Sequence, residues 1–526
     1  MKLARLTPIL FPAAAVSLAL LQAVANRHAL GSDGVSYLDM ADRVEHGDWP
    51  ALINGHWSPL YPLLIAAGLK LVQPSPWNEA ALMQAVHVAI FLLALGAYEF
   101  FARQWFRLRP DWALRITGYV LFIWATIRVI SVKLTSPDLL LAATVFLAAG
   151  FLLRPWERTR LAYAAGLGAT LGVGYWAKSP MFVLTFIFIA LIPIAAGRRR
   201  SIPLLAIAFG AFAAIALPLV VLQSNAQGHL SFSEVGKTSY AWYVNHTREF
   251  HGREATHPTR QLFTEPPAYE FAAPIGGTYP LWFDPSYWNA GVTPRFNLNQ
   301  QLDAIGTNLP VYADVFIGLP IILLAAAVVA RLQAGSHADR RTVWLLLVPA
   351  LAAFGLYLLV HAEPRFLAPF AVLAVCAALS AVRFDGAFDP RWLIALAIAG
   401  CALSIARPTG RDLVAAIRGR AYPERQVAAG LQAIGLQPGD RVAVTTSAAS
   451  HGKWARPARL RITAEADTTN PQVFWSTDAE SQRQLLEAFS QTGVRALIAD
   501  APPREALPAG WQRVGATSYY AFLFPR

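Results

Sequence analysis

The chain has 526 residues, 55% of them apolar and 14% charged, where a soluble domain carries about 25% charged residues. A mean hydropathy of +0.40 excludes a disordered chain, and the two cysteines, Cys376 and Cys401, lie inside apolar runs, which excludes a disulfide framework or a cysteine-built metal cluster. The net charge of +12, from 44 Lys and Arg against 32 Asp and Glu, takes its meaning from where the cations fall.

Eleven apolar stretches are long enough to cross a hydrocarbon core of roughly 30 Å. They run over 8–25, 79–101, 112–130, 137–153, 161–177, 179–196, 202–222, 311–331, 342–360, 365–383 and 391–406, and a twelfth, 59–72, is shorter. The first also fits a signal peptide, because Lys2 and Arg5 precede its apolar run and Ala23-Val24-Ala25 offers a small-residue cleavage site. Both readings leave residue 26 outside.

Lys and Arg in short loops stay on the cytoplasmic side. Alternation of eleven spans gathers 17 basic residues in six inner segments: Lys2 and Arg5; Arg103, Arg107, Arg109 and Arg115; Arg154, Arg158 and Arg160; Arg198, Arg199 and Arg200; Arg331, Arg340 and Arg341; Arg383 and Arg391. The short outer turns hold about one each. Orientation in a membrane thus accounts for much of the positive charge, and no nucleic-acid partner is required.

The polar polypeptide of the outer face is then a first loop over 26–78, a long loop over 223–310 and a tail over 407–526. The pattern predicts strands over Arg441–Thr446, Arg495–Asp500 and Tyr519–Phe524, with helices near 421–435 and 478–492. The expected architecture is an α-helical polytopic membrane domain over 1–406 followed by a small soluble α/β domain over 407–526. No phosphate-binding glycine motif occurs in the tail.

Chemistry-bearing residues cluster at the outer ends of the spans. In the first loop Asp33 opens an amphipathic helix, and Gly55-His56-Trp57-Ser58-Pro59-Leu60-Tyr61-Pro62 returns the chain to the membrane. Ser136-Pro137-Asp138 opens the fourth span. Each acid has a second reading as a helix-capping residue, since Ser, Pro and Asp at a first turn satisfy its free N–H groups and suit its dipole. Alternation also puts Lys178, His361, Glu363 and Arg365 on this face. Each cation alone fits snorkelling from a span end. Together, a planar fork from Arg and a point charge from Lys suit a phosphate. Asp39 and Asp42, six and nine residues past Asp33, read as acids on the helix's exposed face.

These residues resemble the GT-C superfamily of polytopic glycosyltransferases, particularly the protein O-mannosyltransferases and the bacterial aminoarabinose transferases that modify lipid A. The resemblance lies in an acid after the first span at Asp33, with Pro59-Leu60-Tyr61-Pro62 downstream, and in Pro137-Asp138-Leu139-Leu140 at the start of a later span. It continues in the glycine-rich span over 166–180 that ends with Lys178 and in the turn Arg365-Phe366-Leu367-Ala368-Pro369. The resemblance implies inverting transfer of a sugar from a polyprenyl-phosphate carrier to a lipid, glycan or protein acceptor, on the outer face of a bacterial cytoplasmic membrane. Asp33 would be the base, Lys178 and Arg365 would stabilise the phosphate, and Asp138 would orient the acceptor or a neighbouring cation. His361, Glu363, Tyr61 and His56 complete the expected substrate-binding set. A divalent metal is the one cofactor the resemblance allows. Many relatives carry a second acid beside the first, whereas Gly34 follows Asp33 here, so the paired carboxylates for a metal are not supplied.

The loop over 223–310 holds 14 Phe, Trp and Tyr among 88 residues. It is expected either to cover the site or to form an interfacial aromatic belt. Its His229, His246, His251 and His257 lack zinc-ligand spacing, so no metal is expected from them. Two other classes fit a polytopic chain with this charge pattern: a transporter or flippase of lipid-linked sugars, and a non-catalytic envelope assembly protein. A transporter would carry its ionisable groups near the bilayer midplane.

Overall fold

The computed structural model describes the chain except for residues 1, 109–110, 157–159, 198–200, 248–253, 274–275, 335–338, 383–389, 469, 502–506 and 526, and it leaves out the side chains of 2–8, 330–334 and 390. The predicted inner-loop cations Arg109, Arg158, Arg198, Arg199, Arg200 and Arg383, and His251 of the long loop, lie outside the described residues, as do the side chains of Lys2, Arg5 and Arg331.

The membrane part runs α1 (Lys2–Ala25), α2 (Ser32–Glu45), α3 (Leu60–Val72), α4 (Glu79–Leu108), α5 (Trp112–Ile123), α6 (Asp138–Leu153), α7 (Arg160–Ala177), α8 (Pro180–Ala190), α9 (Ile192–Ala196) and α10 (Ser201–Gln227). After the long loop come α14 (Leu298–Phe316), α15 (Leu319–Ala334), α16 (Arg340–Leu359), α17 (Pro364–Ser380) and α18 (Pro390–Arg418), the loop itself holding α11 (Val235–Tyr243), α12 (Pro280–Phe283) and α13 (Pro285–Trp288). Every predicted apolar stretch coincides with helix. Among the described residues, five helices, or six if a bent pair is one span, are long and apolar enough to cross a membrane. That pair is α14 and α15, bent by 73°, so the break at 317–318 falls inside the stretch expected over 311–331.

Helix α1 is built into the bundle. Ala15 and Ala19 are buried, and Gln22 bonds to the Ile127 carbonyl at 2.8 Å, to Ser131 Oγ at 3.1 Å and to Val132 N at 3.0 Å. These bonds satisfy the backbone where α5, continued as a π-helical turn over Trp124–Ile130, gives way to the loop that leads to Asp138. Helices α7 and α10 pack closely through small residues: a Cβ on Gly168 would stand 2.0 Å from the Ala208 carbonyl oxygen.

The tail continues through α19 (Pro423–Ala433), α20 (Gly452–Ala455), α21 (Gln472–Ser476) and α22 (Ala479–Gln491). Its strands belong to a seven-stranded sheet whose first two strands come from the long loop: β1 (Arg260–Phe263) and β2 (Ala268–Glu270), then β3 (Arg441–Val444), β4 (Arg461–Ala466), β5 (Ala496–Ala499), β6 (Trp511–Arg513) and β7 (Tyr520–Leu523), in the order β1-β2-β4-β3-β5-β7-β6. β3 is parallel to β4 and β5, and the outer pairings are antiparallel. The three predicted strands and two predicted helices are present. β4, β6 and the two strands of the long loop were not foreseen.

The sheet domain sits on α2. Arg456 Nη1 lies 2.8 Å from Asp39 Oδ1, and its Nε and Nη2 hold Glu79 at 2.9 and 2.8 Å. Arg459 reaches Glu79 at 2.7 Å and Asp42 at 3.3 Å. Asp39 also accepts from Thr278 N and Oγ1 at 2.7 and 2.8 Å. Asp39 and Asp42 are therefore not exposed-face acids, and Asp39 is only 4% exposed. The face expected to meet water is covered by the folded tail.

Candidate active site

Asp33 and Asp138 open their helices without capping them. The N-caps are Gly31 and Pro137, and neither makes a side-chain cap bond. Neither acid is therefore an N-cap: both sit in the first turn, where an acid suits the helix dipole, and their charge partners are Arg365 for Asp33 and Lys178 and Arg365 for Asp138.

Arg365, in the first turn of α17, is the hub. Its Nη2 lies 3.4 Å from Asp33 Oδ2 and 2.8 Å from Glu363 Oε1, and its Nε lies 3.5 Å from Asp138 Oδ2. Lys178, in the turn between α7 and α8, forms an ion pair with Asp138 Oδ1, and Ser136 Oγ donates to Asp138 Oδ2 at 2.7 Å. The Lys178 ammonium also stands 3.5 Å from the centre of the Phe366 ring. Asp138 is wholly buried, whereas Asp33, Glu363 and Arg365 retain partial exposure.

These groups line one cavity of about 650 Å³. His56, Ser58, Lys237 and His361 add polar wall, and Tyr37, Trp57, Phe232, Trp242, Tyr243, Trp282, Tyr357 and Phe366 supply aromatic faces. The long loop covers the site: Trp242, Tyr243 and Trp282 come from it, and the Trp282 carbonyl accepts from Ser36 Oγ at 2.7 Å and Trp57 Nε1 at 3.0 Å. His361 stacks on Tyr243 at 3.8 Å and approaches Glu363 at 3.6 Å. Seven of the eight expected site residues stand on this wall. Tyr61 does not. It is fully buried behind Tyr37, with ring centres 4.8 Å apart, and packs on His87 at 5.2 Å.

Burial raises the Asp33 carboxyl above its usual range, a rise that the Arg365 charge opposes and Glu363 and Asp138 reinforce. Burial also acts to raise Glu363, but the bond to His361 and the charge of Arg365 outweigh it and bring Glu363 to about 2. Burial lowers His56 to about 3, so this imidazole is neutral at pH 7 and binds as a hydrogen-bonding group without charge.

No protein-family model matches the chain, and no curated protein matches it in sequence. Solved structures do. ArnT from Cupriavidus metallidurans bound to undecaprenyl phosphate matches with a TM-score of 0.55 at 13% identity, over 98% of this chain and 99% of its own. The apo form of the same protein matches with a TM-score of 0.52, also at 13% identity and over the same shares of the two chains. The chain has the GT-C fold. The archaeal oligosaccharyltransferase AglB from Archaeoglobus fulgidus, in complex with an inhibitory peptide and a dolichol-phosphate, matches with a TM-score of 0.50 at 12% identity, over 94% of this chain and 70% of its own.

With the GT-C fold and its apolar helices, the chain is a multi-pass membrane protein. The cavity wall does not fit a divalent metal. Asp33, Asp138 and Glu363 are each matched to Arg365 or Lys178, and among the described residues no three His, Cys, Asp or Glu group as ligands. Sequence reasoning did not single out Lys237, Tyr37, Tyr357 or the individual tryptophans of this cavity. The aromatic density of the long loop was the one signal that pointed to Trp242 and Trp282.

Proposed function

We propose that the protein transfers a sugar from a polyprenyl-phosphate-linked donor to an acceptor hydroxyl or amine at the outer face of a bacterial cytoplasmic membrane, with inversion at the anomeric carbon. The observation that carries the reading is the meeting of Asp33, Lys178 and Arg365 on one cavity, a carboxylate and two cations suited to straddle one glycosyl phosphate. The fold shared with a structure bound to undecaprenyl phosphate and with one bound to a dolichol-phosphate supports the donor class.

Asp33 is the base. It takes the proton from the acceptor as the acceptor heteroatom attacks the anomeric carbon on the face opposite the phosphate. The bond from the anomeric carbon to the phosphate oxygen breaks, its electron pair leaves with the lipid phosphate, and the new glycosidic bond forms with inverted configuration. A phosphate leaves as a stable anion, so no second carboxyl is needed as an acid, in contrast to a glycosidase. Lys178 and Arg365 stabilise the charge that develops on it. Asp138 binds both cations and sets their direction. In the free protein Arg365 is shared with Asp33. A bound phosphate draws the guanidinium toward itself and leaves Asp33 free to accept a proton.

The test is sugar transfer by the purified full chain in proteoliposomes supplied with a panel of polyprenyl-phosphate sugars. Turnover by the wild type and its loss in Asp33→Asn are expected. Full activity in Asp33→Asn removes Asp33 as base, and movement of the lipid-linked sugar across the bilayer without transfer replaces the enzyme reading with a transporter.

A further inference from the structure

Helix α6 carries Asp138 at one end and Arg154 just past the other, 16 residues or about 24 Å away. Helix α4 runs from Glu79, bonded to the sheet domain, past Arg103 and Arg107 in its last two turns. Arg103 stands 24 residues from Glu79, about 36 Å along the axis. The far ends of these helices surround a second cavity of about 510 Å³, lined by Phe100, Phe106, Gln104 and four arginines, Arg103, Arg107, Arg115 and Arg154. It lies at the end of α6 opposite Asp138 and the candidate active site.

Retention of cations on the cytoplasmic side explains why arginines occur here. It does not explain their convergence on one hollow between aromatic rings. The Arg154 guanidinium lies 4.5 Å from the Tyr163 ring centre and 5.5 Å from that of Phe100, and Arg115 lies 5.4 Å from Phe106. Stacking of this kind fixes the plane of a guanidinium and leaves its edge for a ligand. The Nε atoms of Arg115 and Arg154 are buried without a hydrogen-bond partner among the described residues. Among the described residues, two nearby acids are committed: Glu99 pairs with Arg103 at 2.9 Å and accepts from Tyr119 Oη, and Asp111 caps α5 through Ala113 N at 2.8 Å. Trp112, 43% exposed at the start of the helix that carries Arg115, is an amphipathic ring of the kind found at head-group depth.

We propose that this cavity binds the phosphate of an anionic phospholipid head group in the leaflet opposite the candidate active site. Basic pockets between helix ends on the cytoplasmic side take such head groups. The site is separate from the sugar-transfer reading and stands or falls without it.

The test is native mass spectrometry of the purified full chain titrated with phosphatidylglycerol, phosphatidylcholine or inorganic phosphate. One saturable phosphatidylglycerol site is expected on the wild type, with little retention of phosphatidylcholine and no displacement by millimolar phosphate. Arg115→Gln combined with Arg154→Gln should weaken that site by about 30-fold, and Arg128→Gln, a charge removed elsewhere, should leave it intact. Equal retention of both lipids by the wild type overturns the proposal without any variant. Displacement by inorganic phosphate also overturns it, as does undiminished phosphatidylglycerol binding in the double variant.

Discussion

Arg456 of the sheet domain holds Asp39 of α2 at 2.8 Å, six residues along the helix from Asp33. The same guanidinium grips Glu79 at the start of α4 through two bonds, and both acids are buried. The sheet domain is thereby fixed to the helix that carries the proposed base. Loss of one partner from such a buried network leaves carboxylates uncompensated, which costs about 3–5 kcal/mol. Arg456→Leu is expected to lower the thermal midpoint strongly, and Arg456→Lys to lower it less. In the fraction that remains folded, turnover should fall about tenfold because Asp33 is no longer held in line. A loss of turnover no greater than the loss of folded protein shows that the clamp only stabilises.

Asp33 is raised by burial above the ordinary carboxylate value near 4. As a base it works ionised, so kcat/KM should fall on the acid side through a limb lying above that value. The stability consequence has the opposite sense. A carboxyl raised on folding contributes stability below its unfolded value and loses that contribution as pH rises through the folded value. Asp33→Asn should therefore be inactive yet more stable than wild type at pH 7, with the difference vanishing below about pH 4. Thermal midpoints measured across pH 3.5–8 on both proteins check this. A variant less stable at pH 7 would mean that the Arg365 pair outweighs the cost of burial.

Arg365 and Lys178 differ in what each can replace. Arg365 reaches three carboxylates through a planar fork, a geometry that an ammonium does not reproduce. Arg365→Lys is expected to cost about 10²- to 10³-fold in kcat, close to the loss from Lys178→Met. Lys178→Arg should be nearly as damaging, because the ammonium sits within 3.5 Å of the Phe366 ring and the wider guanidinium does not fit there. Steady-state rates with a saturating donor decide the point. Near-normal turnover in Arg365→Lys would reduce its role to charge alone.

Glu363 offers a control on the same wall. The His361 bond and the Arg365 charge depress it to about 2, so its stabilising contribution is present above its unfolded value near 4.5 and is lost as pH falls toward 2. Glu363→Gln should lower the thermal midpoint at pH 7 while the wild-type advantage shrinks between pH 4 and 2. An advantage that stays constant with pH would assign the effect to packing.

Sequence reasoning reached the apolar helices and the cation cluster because both rest on local signals, apolar length and the placement of Lys and Arg. It could not decide between site and cap for Asp33, since Ser32 and Asp33 ahead of an amphipathic run satisfy the capping pattern as well as a catalytic one. The deciding partner, Arg365, lies 332 residues away. Asp39 failed for the same reason. Its partner Arg456 is 417 residues later, so a helix face that reads as solvated is in fact an interface. The strand Arg260–Phe263 escaped because two polar residues followed by Leu and Phe carry no alternation, and its pairing is set by Ala268–Glu270 and the distant β4.

Gly34 occupies the place where many relatives of the resembled family carry a second acid, and its packing gives a physical reason for the difference. A Cβ on Gly34 would stand 2.2 Å from Thr135 Oγ1 and 3.0 Å from Thr135 Cβ. Thr135 is buried in the loop that delivers Ser136 and Asp138 to the site, so α2 approaches that loop too closely for any side chain. Gly34→Ala is expected to cost about 1–3 kcal/mol through overpacking and to lower turnover by shifting Asp33 relative to Asp138. Pairing it with Thr135→Ala removes the nearer contact and should recover most of the loss. Gly34→Asp should be less stable than Gly34→Ala and should bind no Mn²⁺ by calorimetry. A Gly34→Asp protein that is stable and takes up the metal would show that the acid pair fits and that its absence here has another cause.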